Sequence, residues 1–253
     1  MANLKEVRTR IASVSSTQQI TSAMKMVSAA KFRRAQNAII GMRPYAAQLN
    51  EIIADIDVAD GVQTPYHASR PVSNVLLVVV TSNKGLCGAF NANIIKESQA
   101  RIDHYRKVAK CQHLQLITIG KRGSEFFAKQ PDLVLASYDE LLDNPSFDAI
   151  SAIAEGIMND FCDKKWDHVE LIYNQFKNSL TQILSTEQFL PVVQNEPKGH
   201  SSQSRNDYIF DPDKLEILKQ MTPLTLRSQF YRVILDSLAA EHGARMTAMQ
   251  KAT

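Results

Sequence analysis

One turn, Ser82–Phe90 (SNKGLCGAF), brings a serine, a lysine, a cysteine and two glycines together. It follows a β-branched run and precedes a helical pattern, the place where α/β proteins bind phosphate. The spacing fails the stricter requirements of that chemistry. There is no GxxxxGK(S/T) and no GxGxxG, and Lys84 precedes both glycines instead of following them at a helix start. The residues favour a structural turn in which Gly85 and Gly88 take unusual backbone angles, with nucleotide binding as the alternative. Cys87 would need a base beside it to act as a nucleophile, and the local sequence supplies none, so a buried thiol is expected. His67, His104, His113, His168, His200 and His242 are scattered without HxxxH or HExxH spacing, which leaves metal ligation unsupported. Asp139, Glu140 and Asp143 lie in a polar context and read as solvated charge. No catalytic constellation, cofactor site or metal site is expected.

The elements that must position such a turn follow from the rest of the chain. With 253 residues, 44% hydrophobic and 22% charged, it has a globular composition and the length for one or two domains. Its longest apolar run, Val75–Val80, falls far short of the ~20 residues of a membrane span, and the polar N-terminus does not read as a signal peptide. Three cysteines without a CxxC argue against a disulfide framework and a zinc site, and fit a reducing cytoplasm. Charge is unevenly placed. Residues 1–45 carry Lys5, Arg8, Arg10, Lys25, Lys31, Arg33, Arg34 and Arg43 against Glu6 alone, while the whole chain is only +3. A basic first segment on a mildly acidic body implies either an acidic partner surface or a solvated helix face.

Asn3 and Glu6 form a capping-box pattern, and Leu4, Val7, Ile11 and Val14 follow at helical spacing. A second stripe, Ile20, Met24, Val27, Ala30, Ala38 and Met42, takes over. With no glycine before Gly41, about 54 residues can form one helix of roughly 80 Å, with a local bend expected at Gly41 and Pro44. Asp60–Ser73 reads as a linker. Asn74–Thr81, Leu114–Gly120, Leu133–Ser137 and His168–Phe176 then read as strands, separated by helical patterns at Asn91–Lys107, Arg122–Lys129 and Ser146–Lys164. Strand–helix alternation predicts a mostly parallel sheet. Ser179–Val193 follows with no room for a crossover and predicts an antiparallel strand. Pro197–Asn206 reads as a flexible excursion. Asp211 and Pro212 open a last helix, with Pro223 as a kink or restart, carrying the stripe Leu226, Phe230, Val233, Ile234, Leu238, Ala244 and Ala248.

Three separated motifs, Leu4–Lys31 (LKEVRTRIASVSSTQQITSAMKMVSAAK), Val79–Asn91 (VVTSNKGLCGAFN) and Phe230–Met249 (FYRVILDSLAAEHGARMTAM), resemble the gamma subunit of bacterial-type F-type ATP synthases in the same order. The resemblance covers essentially the whole chain. It implies an α/β protein with a long antiparallel coiled coil of N- and C-terminal helices and a Rossmann-like α/β domain with a mostly parallel sheet. Residues 1–58 would form the N-terminal shaft helix, 74–198 the domain, and 211–253 the C-terminal shaft helix. It further implies a non-catalytic rotary central stalk that couples proton-driven rotation of the membrane rotor to ATP synthesis or hydrolysis. The implied partners are the alpha, beta and epsilon subunits and the membrane rotor (c) ring, at the cytoplasmic face of the cell membrane, with no direct membrane insertion and no nucleic acid. Met24, Lys25 and Arg245 match positions that couple to the beta subunit. Asp207, Tyr208 and Phe210 fall in the segment beside the rotor ring and epsilon.

Pairing Met24 with Arg245 sets an expected register, in which Pro44 lies near Pro223 and Thr253 near Ser16. Gamma subunits usually continue beyond the position of Thr253, so the same register leaves Leu4, Val7, Ile11 and Val14 without a helical partner and implies a shortened C-terminal helix. Two other readings compete. One is a nucleotide-dependent enzyme with helical arms, which ATP, ADP or NAD binding would reveal. The other is a basic helix that binds nucleic acid, which lacks the flexible basic tail or aromatic platform expected of it.

Overall fold

The computed structural model describes residues 4–60, 64–107, 109, 111–192 and 214–253. Helix α1 runs Leu4–Asp60 without interruption, 57 residues and about 85 Å at 1.5 Å per residue. Helix α5, Lys214–Ala252, supplies 39 more at the other end of the chain. Pro44 and Pro223 sit inside these two helices, each spanned by continuous helix rather than ending it. The two helices make the largest contact between any two elements.

Between them lies the sheet. Strands β1 (Asn74–Val80), β2 (His113–Ile119), β3 (Val134–Ser137), β4 (His168–Phe176) and β5 (Gln182–Leu190) are ordered β3-β2-β1-β4-β5. Pairings among β3, β2, β1 and β4 are parallel, and β5 joins β4 antiparallel. The crossovers use α2 (Phe90–Lys107), α3 (Lys121–Phe127) and α4 (Phe147–Cys162). Because successive strand side chains face opposite sides, β1 splits its apolar run between two cores. Leu76, Val78 and Val80 face a core with α4 and α5, and Val75, Leu77 and Val79 face one with α2 and α3. A strand covered on both faces requires the unbroken apolar run found there.

The antiparallel last strand and the parallel remainder are as expected from the sequence, with two local differences. Pro131–Leu133 forms a 3-10 turn, so β3 begins at Val134. The expected linker also carries a 3-10 turn, Pro65–His67, in which Thr64 and His67 are buried and Thr64 Oγ1 lies 2.8 Å from His67 Nδ1. The Asn3 cap, the Pro197–Asn206 excursion and the Asp211–Pro212 helix start fall outside the described residues.

The register of the helix pair differs from the expected one. Thr253 Oγ1 meets Thr21 Oγ1 at 2.8 Å, and Gln18 donates to the Thr253 carbonyl at 3.3 Å, so Thr253 lies beside Thr21 rather than Ser16. A Cβ on Gly243 would lie 3.6 Å from the Phe32 ring. The offset is about five residues, a little more than one turn. The contacts that fix it involve residues of both helices, which spacing along one helix does not reveal.

Candidate functional site at the junction of the long helices and the sheet

The Ser82–Phe90 turn leaves the C-terminal end of β1 and is tied to itself and to its neighbours. The Ser82 amide donates to Asn91 Oδ1 at 3.0 Å, Ser82 Oγ donates to the Lys84 carbonyl at 2.7 Å, and Asn91 Nδ2 donates to Ser82 Oγ at 2.8 Å. Asn83 Nδ2 donates to the Asp139 carbonyl at 2.7 Å, and Asn83 Oδ1 accepts the Lys121 amide at 3.0 Å. These bonds hold the Ser82, Asn83 and Asn91 side chains as structural ties of the turn.

The backbone of the turn is not as expected at one glycine. Gly88 has φ +62°, but Leu86, not Gly85, takes the other left-handed position, with φ 61°. A Cβ on Gly85 would meet only the far end of the exposed Arg122 side chain, at 3.3 Å. Cys87 is buried, and burial pushes its thiol up, more strongly than Ser82 and Arg245 pull it down. A raised, buried thiol is inert, as expected.

Arg245 is what joins this turn to the helix pair. Only 7% exposed, it donates through Nη2 to the Lys84 carbonyl at 2.8 Å and through Nε to the Gly85 carbonyl at 3.3 Å. Its Nη1 pairs with buried Glu241, one helical turn back, at 2.6 Å. Burial raises the Glu241 pKa, against the opposing pull of Arg245 and Lys31. Burial, with Arg245 and Lys31 adding positive charge, lowers His242 to about 4, so its ring is neutral at physiological pH. A cavity of about 520 Å³ opens beside this cluster, walled by Met24, Val27 and Lys31 of α1, Leu86 of the turn, and His242 and Arg245 of α5.

The structure thus brings Met24 and Arg245 to one cavity. Lys25, half-buried on α1, does not line it. Asp207, Tyr208 and Phe210 lie outside the described residues. Sequence reasoning missed Glu241 and His242. The Glu241–Arg245 spacing of four on a helix was a readable ion-pair signal, whereas the main-chain acceptors of Arg245 left no trace in the sequence.

Two further arginines fix α5 to the domain. Arg227 pairs with Glu155 of α4 at 2.6 Å, and Arg232 pairs with Glu187 of β5 at 2.7 Å. Among the described residues, no group of three or more His, Cys, Asp or Glu could hold a metal ion, and no helix is long and apolar enough to cross a membrane.

Residues 3–253 match the family model described as ATP synthase. The whole chain is 49% identical to the ATP synthase gamma chain of Cytophaga hutchinsonii and covers 87% of that protein. It is 39% identical to the ATP synthase gamma chain of Bdellovibrio bacteriovorus, again over 87% of that protein. Among solved structures, a chain of the central stalk and c-ring structure of Tetrahymena thermophila mitochondrial ATP synthase aligns with TM-score 0.67 and 26% identity, covering 92% of this chain and 99% of that one. A chain of the Euglena gracilis mitochondrial ATP synthase rotor, with TM-score 0.62 and 18% identity over 96% of this chain and 88% of that one, shares the fold.

Proposed function

The chain belongs to the ATP synthase gamma-chain family, and from that premise we propose that it is a non-catalytic central-stalk subunit whose rotation links a membrane rotor to ATP synthesis or hydrolysis. The observation that carries this reading is mechanical. A 57-residue helix and a 39-residue helix pack along each other, and the sheet domain is fixed to their side by α5. Such a rod transmits a turning force over a distance that a compact domain does not span. In the Ser82–Phe90 turn, Ser82 and Asn91 bond to each other and Ser82 to the Lys84 carbonyl, which supports a structural role for the turn.

The partners proposed are a ring of alpha and beta subunits around the helix pair, with epsilon and the rotor (c) ring at the domain. The site of action is the cytoplasmic face of the cell membrane, held there through partners. Rotation would be driven by proton flow through the rotor. Met24 and half-buried Lys25 face the beta subunit in this reading, with exposed Lys31, Arg33 and Arg34 of α1 as complements to an acidic loop. Arg245, buried against the Lys84 and Gly85 carbonyls, serves that contact from behind by holding the turn. Asp207, Tyr208 and Phe210 are proposed to meet the rotor ring and epsilon on the strength of the sequence resemblance.

The test is co-purification of this chain with alpha and beta subunits, followed by assay of ATP hydrolysis. A stable assembly whose hydrolysis requires the chain, with none from the chain alone, is expected. Hydrolysis or micromolar nucleotide binding by the isolated chain, without assembly, would contradict the proposal.

A further inference from the structure

A rotating stalk must pass torque between its helix pair and the domain on its side, so the contact between α5 and the sheet has to resist twisting. Most of that contact is apolar. Phe230 meets Phe189 with ring centroids 5.6 Å apart, and Val233, Ile234 and Leu238 belong to the same buried core. Apolar burial is strong but non-directional, so it holds the surfaces together without by itself specifying the angle between them. Directional resistance has to come from polar bonds with fixed geometry.

Two nodes supply such bonds: Arg245, which holds the Lys84 and Gly85 carbonyls of a turn, and a second, which reaches the strands themselves. Glu187 on edge strand β5 accepts from three side chains. Arg232 Nη2 reaches both carboxylate oxygens, at 2.7 and 3.0 Å, Gln229 Nε2 donates at 2.6 Å, and Tyr173 Oη of neighbouring β4 donates at 2.9 Å. Arg232 also pairs with Asp236, one turn along α5, at 3.6 Å. Helix α5 is thereby bonded to two adjacent strands through a single carboxylate. The tyrosine is 1% exposed, and burial together with the Glu187 charge keeps its hydroxyl protonated and able to donate. By contrast, the Arg227–Glu155 pair is a single contact whose carboxylate is 48% exposed. Exposed pairs of that kind contribute little, whereas charge-assisted bonds to one carboxylate from several donors add angular specificity as well as strength.

We infer that the Glu187–Arg232 node, with Gln229 and Tyr173, is the joint that transmits torque between the helix pair and the sheet domain. The inference rests on the stalk reading above and deepens it. Weakening the joint lets the domain twist away from the helix pair under load, so that its proposed grip on the rotor ring slips in some turns and ATP is hydrolysed with fewer protons moved.

The test uses the complete complex in sealed vesicles, comparing ATP-driven proton pumping with ATP hydrolysis. Variants Glu187→Gln and Arg232→Met are set beside Ile234→Val, a fully buried α5 residue outside the node. Thermal unfolding of each purified chain ranks the stability losses, and Ile234→Ala replaces Ile234→Val where a larger loss is needed for a match. Pumping per ATP is expected to fall about two- to five-fold in both node variants, with hydrolysis retained and the stability-matched core variant still coupled. Arg232→Lys, which keeps the charge but loses the fork, should recover part of the loss. Equal coupling in node and core variants would overturn the joint while leaving the stalk reading intact. Failure of the unmodified chain to assemble and pump would overturn both.

Discussion

Between Val233 and Glu241 every residue of α5 is buried, whereas in the stretch of α1 from Thr21 to Ile40 only Thr21, Ser28 and Ile39 are buried. Both helices carry apolar residues at helical spacing, so spacing alone does not decide burial. The difference lies in what each helix meets. α5 is enclosed by α1, the β4 side of the sheet and α4, and three arginines fix it to the domain. α1 leans on α5 through Ile39 and, through Phe32, on Phe176 of β4 with ring centroids 5.4 Å apart. Away from that contact, Met26, Val27 and Ile40 of α1 are each more than half exposed. One helix is therefore a structural axis, and the other is a rider on it whose basic outer face stays open to partners.

Substitutions at graded depth test this contrast. The largest effect belongs to Phe230→Ala, which empties a fully buried site against Phe189 and should cost about 3–5 kcal/mol in urea unfolding. Arg245→Met comes next, because it strands the Glu241 carboxylate and two carbonyls. A loss of about 3 kcal/mol is expected, most of it restored in the double variant with Glu241→Gln. Were the double variant no more stable than Arg245→Met, the buried charge would not be the cause.

Histidine 242 gives the α5 side of the contrast a pH dependence. Its folded pKa of about 4 lies below the ordinary 6.5, so the fold favours the neutral ring. The corresponding stability is present above 6.5 and is lost as pH falls towards 4, by no more than about 3 kcal/mol. Glu241, whose pKa is raised by burial, works in the opposite sense. Comparing His242→Gln with the unmodified chain across pH 4–6.5 isolates the histidine, and the variant should show the flatter profile. The smallest effect belongs to Met26→Gln on the exposed face of α1, which is expected to change the stability of the isolated chain by less than about 0.5 kcal/mol. A larger loss would mean that this face is covered in solution.

Much of the fold was legible because its signals are local. Unbroken apolar content in Val75–Val80 marks a strand covered on both faces, and the absence of glycine before Gly41 allows one long helix. The lack of a crossover before Gln182 gave the antiparallel strand. What was not legible depends on distant partners. The Thr21–Thr253 contact puts the register about five residues from the one that pairing Met24 with Arg245 suggests. Leu86 holds a left-handed backbone that its residue type does not advertise. The motif identified Arg245, but its attachment to the Lys84 and Gly85 carbonyls is visible only in three dimensions.

The central claim is rotation, and the most direct measurement is observation of a bead tethered to the sheet domain while the alpha and beta ring is held on a surface. On addition of ATP the bead should turn steadily in one direction, in steps, and stop when ATP is removed. Hydrolysis that proceeds at its normal rate with the bead firmly attached and stationary would contradict the account.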